Sequence, residues 1–173
     1  MKSKTVYLKR PTERDAGELI ALNRASLKLH RGYVSPPTSD SQFTELLKRS
    51  SRAECACFLI YRSVDDRIVG AINLSQIFLG PFRCAYLGYY IGAPYARQGY
   101  MTEALRLMLA YAFMGLKLHR LEANVQPQNV SSITLIKHAG FVQEGFSRRY
   151  LKIAGRWRDH ERWAILREDW KRS

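Results

Sequence analysis

Gly99 stands between an apolar strand pattern at 87–91 (LGYYI) and an amphipathic helix pattern that runs to about residue 116. Within that helix pattern Leu105, Met108, Leu109, Ala112 and Phe113 recur at intervals of three and four, so they share one face. Thr102 and Glu103 fall in its first turn, where a negative side chain suits the positive end of the helix dipole. A strand delivered through a loop onto a helix N-terminus gathers backbone N–H groups at one point. That makes a site for an anion, most often a phosphate. With no side chain at Gly99, a ligand can approach the backbone closely. The loop is neither of the two familiar phosphate motifs: GxxxxGK[ST] is absent, and Gly88, Gly92 and Gly99 do not fit GxGxxG. An ordinary strand-to-helix connection reads the same way, so the rest of the chain has to decide.

A chain of 173 residues with 46% hydrophobic content is expected to form one domain over 1–173 with one core. No internal repeat or low-complexity run is present, and the N-terminal MKSKTVYLKRP lacks the apolar core of a signal peptide. The longest apolar helix pattern is interrupted at Arg106 and falls far short of a bilayer span. The expectation is a soluble, cytoplasmic protein with no membrane partner. Cys55, Cys57 and Cys84 are odd in number, and Cys55 and Cys57 alternate with Ala56 and Phe58 as same-face strand residues do, which argues against a disulfide framework. His30, His119, His138 and His160 form no HxxxH pair, and the cysteines form no CxxC, so no metal site is expected. Twenty-eight basic against fifteen acidic residues give a net charge of +13. Such a surface calls for an anionic partner, whether nucleic acid, an acidic protein face or a phosphorylated cofactor, although solvated surface accounts for many of these charges.

The elements that must position the loop can be read in order. Residues 5–10 alternate as a first strand, and Thr12 with Asp15 resembles a capping box for a helix running to about His30. Pro36 and Pro37 break the chain, leaving a loop around Tyr33 that could line a cleft, and residues 38–51 read as a second helix. Three strands at 55–63, 67–79 and 83–91, joined by short turns at Asp65-Asp66 and Gly80-Pro81, form an antiparallel meander. A fifth strand at 119–126 must run parallel to the fourth, because a whole helix connects them. A short helix at 129–138 ends at Gly140, and two long strands joined at Ala154-Gly155 close the chain. The fold class is α+β: a mixed, mostly antiparallel sheet of about seven strands flanked by about four helices.

That order, with an anion loop after strand four, resembles the GNAT acetyltransferases. ARQGYM (96–101) is similar to the superfamily's [Q/R]xxGx[G/A] pyrophosphate loop, with Ala96 in place of Gln or Arg and Met101 in place of a small residue. NVSSITLIKHAGF (129–141) resembles the NxxSxxxLxxxGF signature after strand five. YLKIAGRWRDHERWAIL (150–166) closely resembles the final hairpin of the RimJ-type ribosomal-protein alanine N-acetyltransferases, including GxWRDH. The resemblance covers residues 5–170.

It implies acetyl-coenzyme A as donor and direct attack by an amine. Strands four and five are expected to splay after Ile91, leaving backbone groups of Tyr89, Tyr90 and Ile91 to pair with the amide arm of the cofactor as an added strand. A backbone N–H near Ile91 would then hold the thioester carbonyl. Backbone N–H groups from Arg97 through Gln98, Gly99, Tyr100 and Met101 to Thr102 would take the pyrophosphate, with charge added by Arg97. The departing thiolate, of pKa near ~8.5, benefits from a proton donor. Many GNAT enzymes use a Tyr there, at the place Ile136 occupies here. The resemblance offers Ser132 instead, with Asn129 as a cofactor contact; first-turn and N-cap roles suit these two residues as well. The family's basic Glu in the penultimate strand falls at Leu151, so Glu122 on strand five is the substitute base, followed by Asp159 and His160.

An α-amine of pKa ~7.7–8.0 reaches its neutral form at pH 7 for about 1–1.4 kcal/mol, whereas a lysine at ~10.4 needs about 4.6 kcal/mol. A site without a strong base therefore suits α-amines. The leading expectation is acetylation of the N-terminal alanine of a ribosomal protein, with the basic surface docking near ribosomal RNA. Acetylation of a small amine (antibiotic, amino acid or polyamine) is the enzymatic alternative, and positive charge near the cleft disfavours polyamines. A basic ribosome- or RNA-binding module without catalysis is the alternative of another class. Either a monomer or a homodimer through an exposed strand edge is compatible with the chain.

Overall fold

Alternation of side chains builds the sheet. Cys55, Cys57, Leu59 and Tyr61 point into one apolar cluster, while Ala56, Phe58 and Ile60 point into another on the opposite face. All three cysteines are free and buried. The computed structural model describes residues 1–170. Seven strands form one sheet: β1 (Val6–Lys9), β2 (Ala56–Arg62), β3 (Ile68–Phe78), β4 (Cys84–Ile91), β5 (Arg120–Val125), β6 (Val142–Ile153) and β7 (Arg156–Leu166). Their order is β1-β2-β3-β4-β5-β7-β6, and every neighbouring pair is antiparallel except β4 and β5. The α+β class, the meander and the parallel crossover are as expected.

Helices α1 (Ala16–Ala25), α2 (Leu27–His30) and α3 (Asp40–Ser50) precede β2; α4 (Tyr100–Ala110) and α5 (Val130–His138) flank β5 in the chain. The single helix expected up to His30 is two, broken at Ser26. The Ser26 hydroxyl donates back to the Leu22 carbonyl at 2.7 Å and accepts the Ala93 N–H at 2.8 Å, so it ties the helix end to the segment after β4. At the start of α1, the Asp15 carboxylate accepts the Thr12 N–H at 2.6 Å. Ser39 caps α3, its hydroxyl accepting from Gln42 N–H. Leu19 and Ile20 of α1 pack with Phe43 and Leu46 of α3 on one face of the sheet. On the other face lie Leu105, Met108, Leu109, Ala112 and Phe113, all buried, together with Ile136 of α5. The helical periodicity therefore marked the buried stripe correctly. No helix among the described residues is long and apolar enough to cross a membrane.

Strands β4 and β5 pair at only three positions, Cys84↔Arg120, Ala85↔Leu121 and Tyr86↔Glu122, and then part. The splay is thus present, but it opens after Tyr86, five residues before the Ile91 expected from sequence. Beyond it β4 stays bonded to β3 as far as Gly70↔Ile91. Gly70 makes this close approach sterically feasible, since a Cβ there would stand 2.3 Å from the Tyr90 carbonyl oxygen. Because that neighbour is backbone, Gly70→Ala is expected to cost roughly 1–3 kcal/mol, lowering Tm by about 2–10 °C in a thermal melt.

Candidate active site

Strand parity decides which backbone groups face the splay. The Tyr90 carbonyl points at Gly70, and Gly92 N–H donates to Val69 O at 2.7 Å, so both residues turn their backbone toward β3. Odd-numbered residues of β4 therefore face β5, and beyond the last pair, Tyr86↔Glu122, Tyr89 and Ile91 present their backbone to the gap. This corrects the expectation for Tyr90, whose backbone is engaged in the β3 ladder. Its side chain instead enters the face covered by α1 and α3, meeting Asn23 and the His30 ring. Of the Ile91 pair, the carbonyl is already taken. His30 Nε2 lies 2.8 Å from it and must carry the proton, because a carbonyl only accepts.

His30, Gln126 and the loop between α2 and α3 close one end of the gap. Gln126 is 4% exposed and donates to Gly32 O at 2.7 Å, and Tyr33 OH reaches Gln128 O at 3.4 Å. The aromatic loop around Tyr33 thus docks on the β5–α5 connection. The sequence singled out neither His30 nor Gln126; their only local signals are a polar residue before a Pro-containing breaker and another at the end of an apolar strand.

At the N-terminus of α4 the chain turns through two left-handed residues, Arg97 at φ 61° and Gly99 at φ 82°. An ideal Cβ at Gly99 meets nothing within 4 Å, so the space above this backbone is open. Tyr100, Met101 and Thr102 lead the helix, where N–H groups have no intrahelical acceptor. Arg97, Gln98 and Gly99 donate to no backbone carbonyl among the described residues. Consecutive free N–H groups around alternating left- and right-handed residues fit the pyrophosphate of a coenzyme A. Tyr100 and Met101 turn their side chains onto the core, which is how Met101 can replace a small residue without blocking the loop. Gln98 folds its amide back onto Pro94 O at 2.8 Å, while Arg97 and Thr102 are exposed.

Across the gap, Asn129 caps α5, accepting from Ser132 N–H at 3.2 Å and from the Ser131 hydroxyl at 3.1 Å. The Ser132 hydroxyl meets the Tyr89 hydroxyl at 2.5 Å, so Tyr89 and Ser132 are joined over the open end of the splay. Burial pushes the Tyr89 hydroxyl up to about 12, despite the opposing hydrogen bond to Ser132, and it stays protonated at neutral pH. Glu122 lies elsewhere. It sits where β4 and β5 still pair and is held by Arg120 at 2.8 Å, and Arg120 also grips Glu144. Glu144 is held below the usual carboxylate range chiefly by that hydrogen bond from Arg120. Asp159 accepts the Arg149 N–H at 2.7 Å and so ties β7 to β6, whereas buried His160 faces Arg158 O at 3.0 Å within β7 itself. Leu151 lies opposite Arg158 and brings no titratable group. Among the described residues no group of His, Cys, Asp and Glu is placed to hold a metal ion.

On the other side of β4 a cavity of about 190 Å³ lies beneath the Val34–Pro37 segment, floored by Asn73, Gly88 and Tyr90. It lies across the sheet from Ser132. A parting parallel strand pair, an anion-binding helix start on one flank and a hydroxyl pair at the apex together form a seat for a thioester of a nucleotide-bearing thiol.

The comparisons with known proteins agree. The profile of the acetyltransferase (GNAT) domain matches residues 5–142. The chain is 36% identical over 177 residues to "Probable N-acetyltransferase YjcK" of Bacillus subtilis, covering 98% of each. It is 37% identical over 113 residues to the [ribosomal protein uS5]-alanine N-acetyltransferase of Escherichia coli, covering 65% of this chain and 58% of that one. Mycobacterium smegmatis RimJ, solved in complex with CoA-disulfide, superposes with a TM-score of 0.86 at 28% identity over 94% of this chain and 82% of its own. The chain belongs to the GNAT acetyltransferase family. It is an RimJ-like N-acetyltransferase whose acetyl donor is acetyl-coenzyme A.

The buried histidines make folding pH-dependent. Burial lowers the affinity of His30 and of His160 for a proton, outweighing the backbone hydrogen bonds that raise it. The unfolded chain takes up protons below about 6.5, where the folded protein resists them, so this stability is full above that pH and is lost as pH falls. Tm is expected to decline from pH 7 to pH 5.5. His30→Gln should start lower at pH 7 and decline less steeply, leaving the His160 contribution.

Proposed function

We propose that this enzyme acetylates the α-amine at the N-terminus of a protein in the cytoplasm, with the N-terminal alanine of a ribosomal protein as the leading acceptor. The observation that carries the reading concerns the two base positions that the family pattern offered: Leu151 stands at the family's Glu position, and Glu122 is bound to Arg120. An α-amine needs only about 1–1.4 kcal/mol to lose its proton at pH 7, against about 4.6 kcal/mol for a lysine. The uS5-alanine enzyme of Escherichia coli supports the same acceptor class. A small amine is the second reading, favoured by the enclosed cavity of about 190 Å³. A noncatalytic ribosome- or RNA-binding role adds to neither observation.

In the proposed mechanism the neutral amine attacks the acetyl carbonyl carbon, the nitrogen–carbon bond forms as the carbon–sulfur bond breaks, and the amine's proton passes to solvent. The N–H groups from Arg97 to Thr102 hold the pyrophosphate, and Tyr89 and Ile91 orient the amide arm through their backbone. Ile91 N–H remains available for the thioester oxygen, and His30 fixes that residue by holding its carbonyl. Ser132 Oγ would hand its proton to the leaving sulfur as it takes one from Tyr89 Oη, and Tyr89 would regain a proton from the solvent that receives the amine's. Tyr89, protonated, donates to Ser132 Oγ, which frees the Ser132 hydrogen to point into the gap. Asn129 sets the start of α5 and with it the position of Ser132.

Two measurements test this. Free thiol release is followed with Ala-initiated peptides, Lys-containing peptides blocked at the N-terminus, and small amines. Ala-initiated peptides are expected to react fastest by at least tenfold, and turnover with small amines alone would overturn the acceptor. Ser132→Ala is expected to lower kcat by about 10²-fold or more, and Tyr89→Phe by about tenfold, with coenzyme A affinity unchanged. Because both act through one proton, the double variant should be no slower than Ser132→Ala. Multiplicative losses would mean that Tyr89 and Ser132 do not act as a pair.

A further inference from the structure

The cavity beneath the Val34–Pro37 segment carries an electrostatic asymmetry. Arg49, in the last turn of α3, is the one charged side chain on its wall among the described residues, and no carboxylate lines it. Its neighbour Lys48 is paired with Glu45 at 2.8 Å, whereas Arg49 has no acidic partner within ion-pair distance among the described residues. A cation near a helix C-terminus suits the dipole wherever its side chain points. Here, however, Arg49 is turned to the Cys57 thiol and the Tyr90 hydroxyl on the cavity wall, which both feel its charge. Those groups stay neutral at pH 7, since burial raises both, the Tyr90 hydroxyl to about 12. The lone charge of the cavity is therefore an uncompensated guanidinium.

The floor is kept open by Gly88. A Cβ there would stand 3.2 Å from Asn73 Oδ1, in the space above the strand. Asn73 is half-buried, and its amide has no hydrogen-bond partner among the described residues. A guanidinium with a free amide nearby offers several donors and an acceptor in a pocket whose other polar side chains, those of Ser35, Cys57 and the tyrosines, carry no charge. A carboxylate has two acceptor oxygens that match the guanidinium fork.

We propose that this cavity is an acceptor subsite for a carboxylate, and that Arg49 selects amines bearing a carboxylate close to the reacting nitrogen. The proposal rests on the acetyl-transfer reading above, with the acceptor entering on the Gly88–Tyr90 side of β4. The carboxylate has two sources: the α-carboxylate of a free amino acid, or an acidic side chain at the second residue of a peptide. The same cation repels polyamines.

Binding is read separately from turnover, by calorimetry on the protein saturated with coenzyme A. The probes are alanine against alaninamide, and Ala-Glu-amide against Ala-Gln-amide. In at least one pair the acid is expected to bind at least tenfold more tightly than its amide, and the pair that shows it identifies the source. Arg49→Gln should bring that pair to within twofold while leaving coenzyme A affinity and Tm unchanged; Lys48→Gln should keep the preference. Equal binding of acid and amide in both pairs, no binding of any probe, or a preference that survives Arg49→Gln would overturn the subsite. If the preference appears but no bound probe is acetylated, the subsite stands and the acceptor reading fails.

Discussion

The parting of β4 from β5 after three residue pairs is the constraint on which the rest of the molecule depends. A strand edge left unpaired inside a protein exposes N–H and C=O groups that must find partners. Here the edge residues past the last pair are Tyr89 and Ile91, and among the described residues His30 takes the Ile91 carbonyl. What remains has the spacing of a β-strand partner, which is what an extended amide-bearing arm supplies. The helices follow from this opening. α4 covers the sheet below it with a buried stripe from Leu105 to Phe113, and its free N-terminus faces outward where the loop from β4 ends. α5 stands on the far lip and returns a hydroxyl, Ser132, to Tyr89 on the near one.

The acids that sequence offered as bases are engaged elsewhere: Glu122 shares Arg120 with Glu144, and Asp159 accepts from the Arg149 backbone. The tyrosines, Tyr86, Tyr89 and Tyr90, are each pushed to about 12 chiefly by burial and so remain hydroxyl donors. His30 is kept neutral by the same desolvation, which suits a ring that holds a carbonyl with one nitrogen. Arg49 brings a positive charge to the wall of the cavity beneath the Val34–Pro37 segment, while the proposed reacting centre offers backbone donors and hydroxyls.

Where function is carried by local periodicity it was legible in the sequence. The meander, the α4 stripe and Asn129 at the α5 cap all follow from spacing of three, four or two, and the loop at Gly99 from one residue that tolerates φ 82°. The expected four helices differ from the structure only in the break at Ser26, which depends on Ala93, a residue 67 positions away. The Tyr89–Ser132 pair spans 43 residues and the His30–Ile91 pair 61, and no local pattern encodes either. Glu122, the base offered by sequence, is paired with Arg120 for a reason that was local. Arg120 and Glu122 are two apart on one strand, so they share a face and neutralise each other. The direction of the Tyr90 backbone also followed from parity, but only once β3 was known to pair through to Ile91.

Strand β4 therefore separates two recognition problems by the alternation of its own residues. Tyr89 turns its side chain toward α5 and its backbone toward the gap, so it serves the donor and the leaving group. Tyr90, next in sequence, turns its backbone to β3 and its side chain to the face that holds the cavity beneath the Val34–Pro37 segment, the proposed acceptor side. The proposed donor seat consists mainly of backbone atoms, which side-chain replacement leaves in place, so Ala96 and Met101 can depart from the family pattern while the space above Gly99 stays open. The proposed acceptor subsite draws instead on side chains of α3, β3 and the Val34–Pro37 segment, on the face of the sheet opposite Ser132, so substitutions there would alter acceptor choice without altering the anion loop.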